Sequence, residues 1–161
     1  MFHPSQLFMN VRIVLMPIMA CVFFSCAEKG DDPTPPPTRT QLLSAKKWQG
    51  KSSIIEGQGQ PTVDIYALTP LDKRDDFQRF DLPNTFVYDE GPTKFRAIDP
   101  QIQLGLWALS NNDTQLTISF RGYTNTYFIE ELTSTSLKTR LEQLQGNGIM
   151  AVTTTSFIAI N

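Results

Sequence analysis

Thr114-Gln115-Leu116-Thr117-Ile118-Ser119-Phe120-Arg121 alternates without a break. Leu116, Ile118 and Phe120 fall on one face, while Thr117, Ser119 and Arg121 fall on the other. This period of two marks a strand with one buried face. Ser110-Asn111-Asn112-Asp113 just before it is turn chemistry, so Gly105–Leu109 is expected to form the other arm of a hairpin. Arg121-Gly122 starts the next turn. Tyr123–Leu132 follows, with Tyr127 and Ile129 opposite Phe128 and Leu132. Thr133-Ser134-Thr135 turns the chain again, and Ser136–Glu142 sets Leu137 and Leu141 against Lys138, Arg140 and Glu142. Gly146-Asn147-Gly148 leads into a last strand, Ile149–Ile160.

The earlier half has the same texture with less regularity. Lys47–Ile55, Pro61–Leu68, Asp76–Asp81 and Thr85–Tyr88 have strand composition. Gly57-Gln58-Gly59, Thr69-Pro70 and Leu82-Pro83-Asn84 separate them. A short helix over Gln41–Lys46, capped by Thr40, precedes them. About eight strands at such spacing predict an all-β fold, an antiparallel up-and-down β-barrel, with a β-sandwich as the alternative.

Composition narrows the chemistry. The 161 residues include one His, His3, and two Cys, Cys21 and Cys26. The 135 residues after Cys26 therefore contain neither type, which excludes His-based nucleophilic triads, His/Cys zinc sites and disulfide staples from that body. Setting Arg12 aside leaves 13 of the 14 basic residues against 16 acidic ones, which argues against a nucleic-acid surface. The acidic pairs Asp75-Asp76, Asp89-Glu90 and Glu130-Glu131 lack the spacing of a calcium loop, and the expectation is no metal and no cofactor.

The first segment reads as an export signal. Arg12 precedes the apolar run Ile13–Cys26, and polarity changes abruptly at Ala27-Glu28-Lys29. The run is shorter than the ~20 residues a spanning helix needs. It resembles a bacterial lipoprotein signal over residues 1–25, which implies acylation at Cys26, with Cys21 as the alternative. Met9 is the alternative start to Met1, since Met9-Asn10-Val11-Arg12 already forms a complete charged lead. Residues 26–39 follow as a linker, with four prolines between Lys29 and Thr38. That segment is expected to be an extended spacer of roughly 30 Å. The expected address is the cell envelope, as an outer-membrane lipoprotein facing the periplasm or the surface.

Several stretches of the body, residues 40–161, carry a family resemblance. They are Leu42-Leu43-Ser44-Ala45-Lys46-Lys47-Trp48, Asp75-Asp76-Phe77 with Phe80, Gly105-Leu106-Trp107-Ala108-Leu109, Leu116-Thr117-Ile118, Tyr127–Leu132 and Ser136-Leu137. Together they resemble the lipocalin-like domains of Bacteroidota lipoproteins. The resemblance implies a barrel. An eight-stranded barrel is just wide enough for one small molecule. The functional expectation is a membrane-anchored, non-enzymatic binding module for a small apolar or amphipathic ligand or a glycan. The alternative is a solid barrel acting as an accessory subunit of an outer-membrane complex.

The candidate ligand-binding residues are Trp107, Tyr66, Tyr127 and Glu131. Trp48 and Trp107 have the apolar settings of core packing, with ligand stacking as the second role. Tyr66, Tyr88, Tyr123 and Tyr127 suit a cavity wall, because each has an apolar body and a polar tip. Strict alternation puts Glu131 on the face of Tyr127 and Ile129. An inward carboxylate there needs Arg96, Arg121, Arg140 or a ligand beside it. Asp75-Asp76 and Asp89-Glu90 are expected in solvated loops.

Overall fold

The computed structural model describes residues 34–146 and 148–161. The leader, Cys21, Cys26 and residues 26–33 of the linker lie outside the described residues. After residues 34–38, which have no regular structure, helix α1 (Arg39–Ser44) begins. Its cap is Thr38 rather than Thr40. The Thr38 hydroxyl accepts from the Gln41 backbone N–H at 3.2 Å, while Gln41 Oε1 accepts from the Thr38 N–H at 2.8 Å. This reciprocal pairing satisfies two otherwise unpaired donors and fixes where the helix starts.

Nine strands follow: β1 (Lys47–Gly57), β2 (Val63–Asp64), β3 (Phe77–Asp81), β4 (Thr85–Asp89), β5 (Ile102–Ser110), β6 (Gln115–Phe120), β7 (Tyr123–Leu132), β8 (Ser136–Leu144) and β9 (Met150–Ile160). From β3 to β9, each strand pairs antiparallel with the next. β1 pairs with β3 on one side and with β9 on the other. Eight strands therefore close into an up-and-down antiparallel barrel, and β2 adds a short strand to the upper part of β1. Closure gives nearly every backbone donor and acceptor a ladder partner and leaves little free edge.

Local chemistry sets the tight turns. Asn111, Asn112 and Asp113 adopt left-handed φ values of 52°, 53° and 60°, which these short polar side chains tolerate. Arg121 and Gly122, at φ 51° and 81°, form a two-residue turn whose twist matches the flanking strands.

One expected strand is mostly something else. Pro61–Leu68 contributes only two strand residues before turning into helix α2 (Ile65–Leu68). Asp64 Oδ1 accepts from the Ala67 N–H at 2.9 Å and caps the turn, so local capping overrides the β propensity of the segment.

The two ends of the barrel differ. At one end α1 acts as a plug, with Leu43 fully buried and its carbonyl accepting from Trp48 Nε1 at 2.9 Å. Above it lies an aromatic layer of Trp48, Phe80, Phe86 and Trp107. Phe80 meets Phe86 at 5.6 Å and Trp107 edge-on at 5.7 Å. At the other end sit the Arg121-Gly122 turn and the β1–β3, β4–β5 and β8–β9 connections.

Candidate functional site

The upper interior is open. A cavity of about 460 Å³ stands on Phe80, Phe86, Leu116 and Leu137, and is walled by Tyr88, Ile118, Phe120, Tyr127 and Phe157. Arg121, Tyr123 and Asn125 also line it. Because Tyr123 is 75% exposed, the cavity reaches solvent at that rim. Its size falls within the ~300–1,000 Å³ of small-molecule pockets.

The inward face of β6 supplies Leu116, Ile118 and Phe120, as the alternation of that strand requires. Gly105 on β5 makes room for the rings: a Cβ there would lie 2.4 Å from the Ser119 carbonyl oxygen and 3.2 Å from the Phe86 ring. Phe120 packs edge-on to Phe86 at 5.2 Å and tilted to Tyr88 at 5.6 Å.

A second chamber of about 210 Å³ lies beside the first, lined by Trp48, Gly50, Tyr66, Arg74, Asp76 and Phe77 among others. Gln78, Tyr88 and Phe157 line both chambers. The α2 segment places Tyr66 over this space, 4.0 Å from where a Gly50 Cβ would sit. Arg74 rests on the Tyr66 ring and donates to the carbonyls of Thr69 and Ala67, each at 3.0 Å. The Tyr88 hydroxyl donates to Asp76 Oδ2.

Two perturbed groups meet there. Burial, then repulsion from Asp75 and Glu90, raises the Asp76 carboxyl above its ordinary value, while the Tyr88 bond and Lys73 pull it down. Burial is also the first cause of the raised Tyr88 phenol, followed by its bond to Asp76. Tyr127 is raised by burial too, with Asn125 partly offsetting the effect.

The four sequence-selected candidates scatter. Tyr127 lines the main cavity and Tyr66 the side chamber. Trp107 sits beneath the cavity, 5% exposed, with its Nε1 donating to the Asp81 carbonyl at 3.0 Å. Glu131 is on the outer face and exposed. A bulge between Ile129 and Glu131 makes Glu130 the extra residue, so Leu132 rather than Glu131 continues the inward row. Glu131 accepts from the Ser136 hydroxyl, and Glu130 pairs with Lys138 at 3.0 Å and Arg140 at 3.2 Å.

Two other expectations also change. Glu90 is not solvated: it is 4% exposed. Asp75 is half-buried, accepting from the Thr93 N–H at 2.9 Å. Among the described residues, no three acidic, His or Cys side chains are placed to hold a metal ion.

Arg121 departs furthest from its expected outward direction. The strand stops at Phe120, and the left-handed backbone of Arg121 brings its guanidinium over the rings of Phe120 at 5.1 Å and Tyr88 at 5.4 Å. Its Nε donates to Gln103 Oε1 at 2.7 Å. The readable signal was Gly122 directly after Arg121, which allows a two-residue turn with its first residue also at positive φ.

No family model matches this chain, and no curated protein does. Among solved structures, the chain is similar to bovine odorant binding protein. The complex with undecanal gives a TM-score of 0.45 at 12% identity, covering 81% of this chain and 78% of that one. The complex with a selenium-containing odorant gives 0.43 at the same identity and coverage.

Proposed function

We propose that this chain is a non-enzymatic binding module whose barrel holds one small apolar or amphipathic molecule. The observation behind this reading is the open cavity of about 460 Å³, whose floor is apolar and aromatic and whose rim is polar. Burying a ligand's apolar surface there releases about 25 cal/mol per Å² before the costs of association. The test is titration of the purified chain with N-phenyl-1-naphthylamine, whose emission rises in apolar surroundings, alongside native mass spectrometry for co-purifying lipid or glycan. Saturable uptake at one site per chain supports the reading. A barrel that takes up neither the dye nor any co-purifying molecule refutes it.

The module is held in the cell envelope by acyl chains on Cys26, or on Cys21. This rests on the apolar run and the abrupt polarity change after it. Metabolic labelling with an alkynyl fatty acid tests it: Cys26→Ala abolishes labelling if Cys26 carries the chains, and Cys21→Ala does so if Cys21 does.

A specific surface favours a second role, as an accessory subunit of an envelope complex. Ile102, Leu104 and Leu106 form an exposed apolar row on the outer face of β5, at 50%, 67% and 55% exposure. Stoichiometric partners in a pull-down from solubilised envelope, lost on Leu104→Lys, support that role.

A further inference from the structure

Among the described residues, Arg121 is the one charged side chain lining the main cavity; every other lining group is apolar or neutral polar. No carboxylate forms an ion pair with it among the described residues, and its neighbours are two aromatic rings and the Gln103 amide oxygen. Those contacts use the face of the guanidinium and its Nε. They leave the terminal N–H groups without a protein acceptor, and five donors in a rigid fork suit a carboxylate or phosphate.

Its placement is held by three elements. The two-residue turn fixes the backbone, Gln103 on β5 holds Nε, and the Tyr88 and Phe120 rings support the plane. A pre-positioned guanidinium loses less freedom when an anion arrives. Tyr123 and Asn125 share the rim and supply neutral polar groups.

Below the rim the surroundings become apolar. From Phe120 down to Leu116 the strand advances about 13 Å, at ~3.3 Å per residue, the scale of a medium-chain acyl tail. The floor of Phe80, Phe86, Leu116 and Leu137 offers no charge. The interior is therefore polarised, positive at the mouth and apolar at depth.

We propose that the ligand is an anionic amphiphile that enters tail first, its acidic head held by Arg121 at the rim and its chain on the aromatic floor. This rests on the reading of the barrel as a binding cavity and adds the ligand's charge and orientation to it. The shared chemistry is an oxyanion on an alkyl chain, whether carboxylate or phosphate.

The experiment compares three twelve-carbon probes that differ in the head, namely dodecanoate, dodecanol and dodecylamine, each displacing N-phenyl-1-naphthylamine from the full chain. Dodecyl phosphate separates the two kinds of oxyanion. The expected order is dodecanoate or dodecyl phosphate first, dodecanol about tenfold weaker, and dodecylamine weakest. Raising salt narrows the gap between dodecanoate and dodecanol, because the mouth is open to solvent.

Arg121→Asn removes the charge and keeps the turn, since asparagine accepts left-handed φ. It should weaken dodecanoate about tenfold and leave dodecanol within about twofold. Arg121→Lys should recover part of the loss. Equal affinity for dodecanol and dodecanoate, a preference for dodecylamine, or an unchanged dodecanoate affinity in Arg121→Asn overturns the proposal while leaving the cavity reading intact. Failure of the barrel to take up the dye or any probe removes both.

Discussion

Phe80 is where the packing of the fold and the floor of the cavity coincide. It is fully buried, tilted at 54° against Phe86, and edge-on at 79° to Trp107. Replacing it with alanine removes about 1.5–3 kcal/mol of burial. The two ring contacts add roughly 0.5–1.5 kcal/mol each. Buried Phe→Ala replacements cost about 3–5 kcal/mol in total, which falls within the range these contributions span. We expect about 4 kcal/mol here, since the vacated volume joins an existing solvent-connected cavity and water relieves part of the void. A domain with ~5–15 kcal/mol of stability survives such a loss, though with a much lower midpoint.

The assay is urea unfolding followed by tryptophan emission, because Trp48 and Trp107 are both buried in the layer that Phe80 completes. The midpoint should fall with the m-value unchanged. The same variant should still take up dye, having gained space below it. A loss smaller than about 1 kcal/mol at constant m would refute the packing described for the floor. So would complete loss of dye uptake from a cooperatively folded variant.

Two further perturbations probe other parts of the wall. Gly105→Ala puts a Cβ 2.4 Å from a backbone oxygen and against the Phe86 and Phe120 rings. It should destabilise by about 1–3 kcal/mol and displace rings that line the cavity, lowering both the thermal midpoint and dye affinity. An unchanged melt would show that β5 and β6 are not so close. Asp76 has a carboxyl raised by burial, Asp75 and Glu90 against the opposing pull of Tyr88 and Lys73. The folded state therefore keeps this proton longer than the unfolded state does. Its contribution is intact below the ordinary carboxylate pKa and is lost as pH rises through the elevated folded value. Asp76→Asn should remove that decline and be the more stable form at neutral pH, its amide oxygen still accepting from Tyr88. Matched pH-dependent melts check this, and a variant less stable at neutral pH contradicts it.

Much of the barrel could be read directly from residues. Between Ile102 and Ile160, clean alternation and Asn/Asp/Gly turns leave few options, because a one-residue slip would expose every Leu, Ile and Phe of the inward rows. The site was less legible. Tyr127 lines the main cavity by the same parity that mispredicts Glu131, since the bulge at Glu130 adds a residue and alternation cannot foresee it. Bulges depend on twist and cross-strand partners, here the Lys138 and Arg140 pairs. Arg121 was missed because its direction comes from a backbone angle, not from the strand pattern. Glu90 was misjudged for a different reason. Its burial results from the β4–β5 loop folding over the segment that holds Asp75, a contact between residues far apart in sequence. Trp107 was legible as core between Leu106 and Ala108, whereas Trp48, between Lys47 and Gln49, was legible only as the large apolar residue heading the first strand.

The plug at the closed end also determines how the molecule can be handled. Helix α1 leads into β1 there, and Asn161 lies there as well, its side-chain oxygen accepting from Lys46 Nζ at 2.9 Å and its backbone oxygen from Lys47 Nζ at 3.3 Å. Both termini of the domain leave through the base, and the mouth opens at the far end. A bead, a fused reporter or a bilayer joined at either terminus grips the barrel like the stem of a cup. Under the proposed binding role, ligand exchange would run through the free side without competing with whatever holds the base.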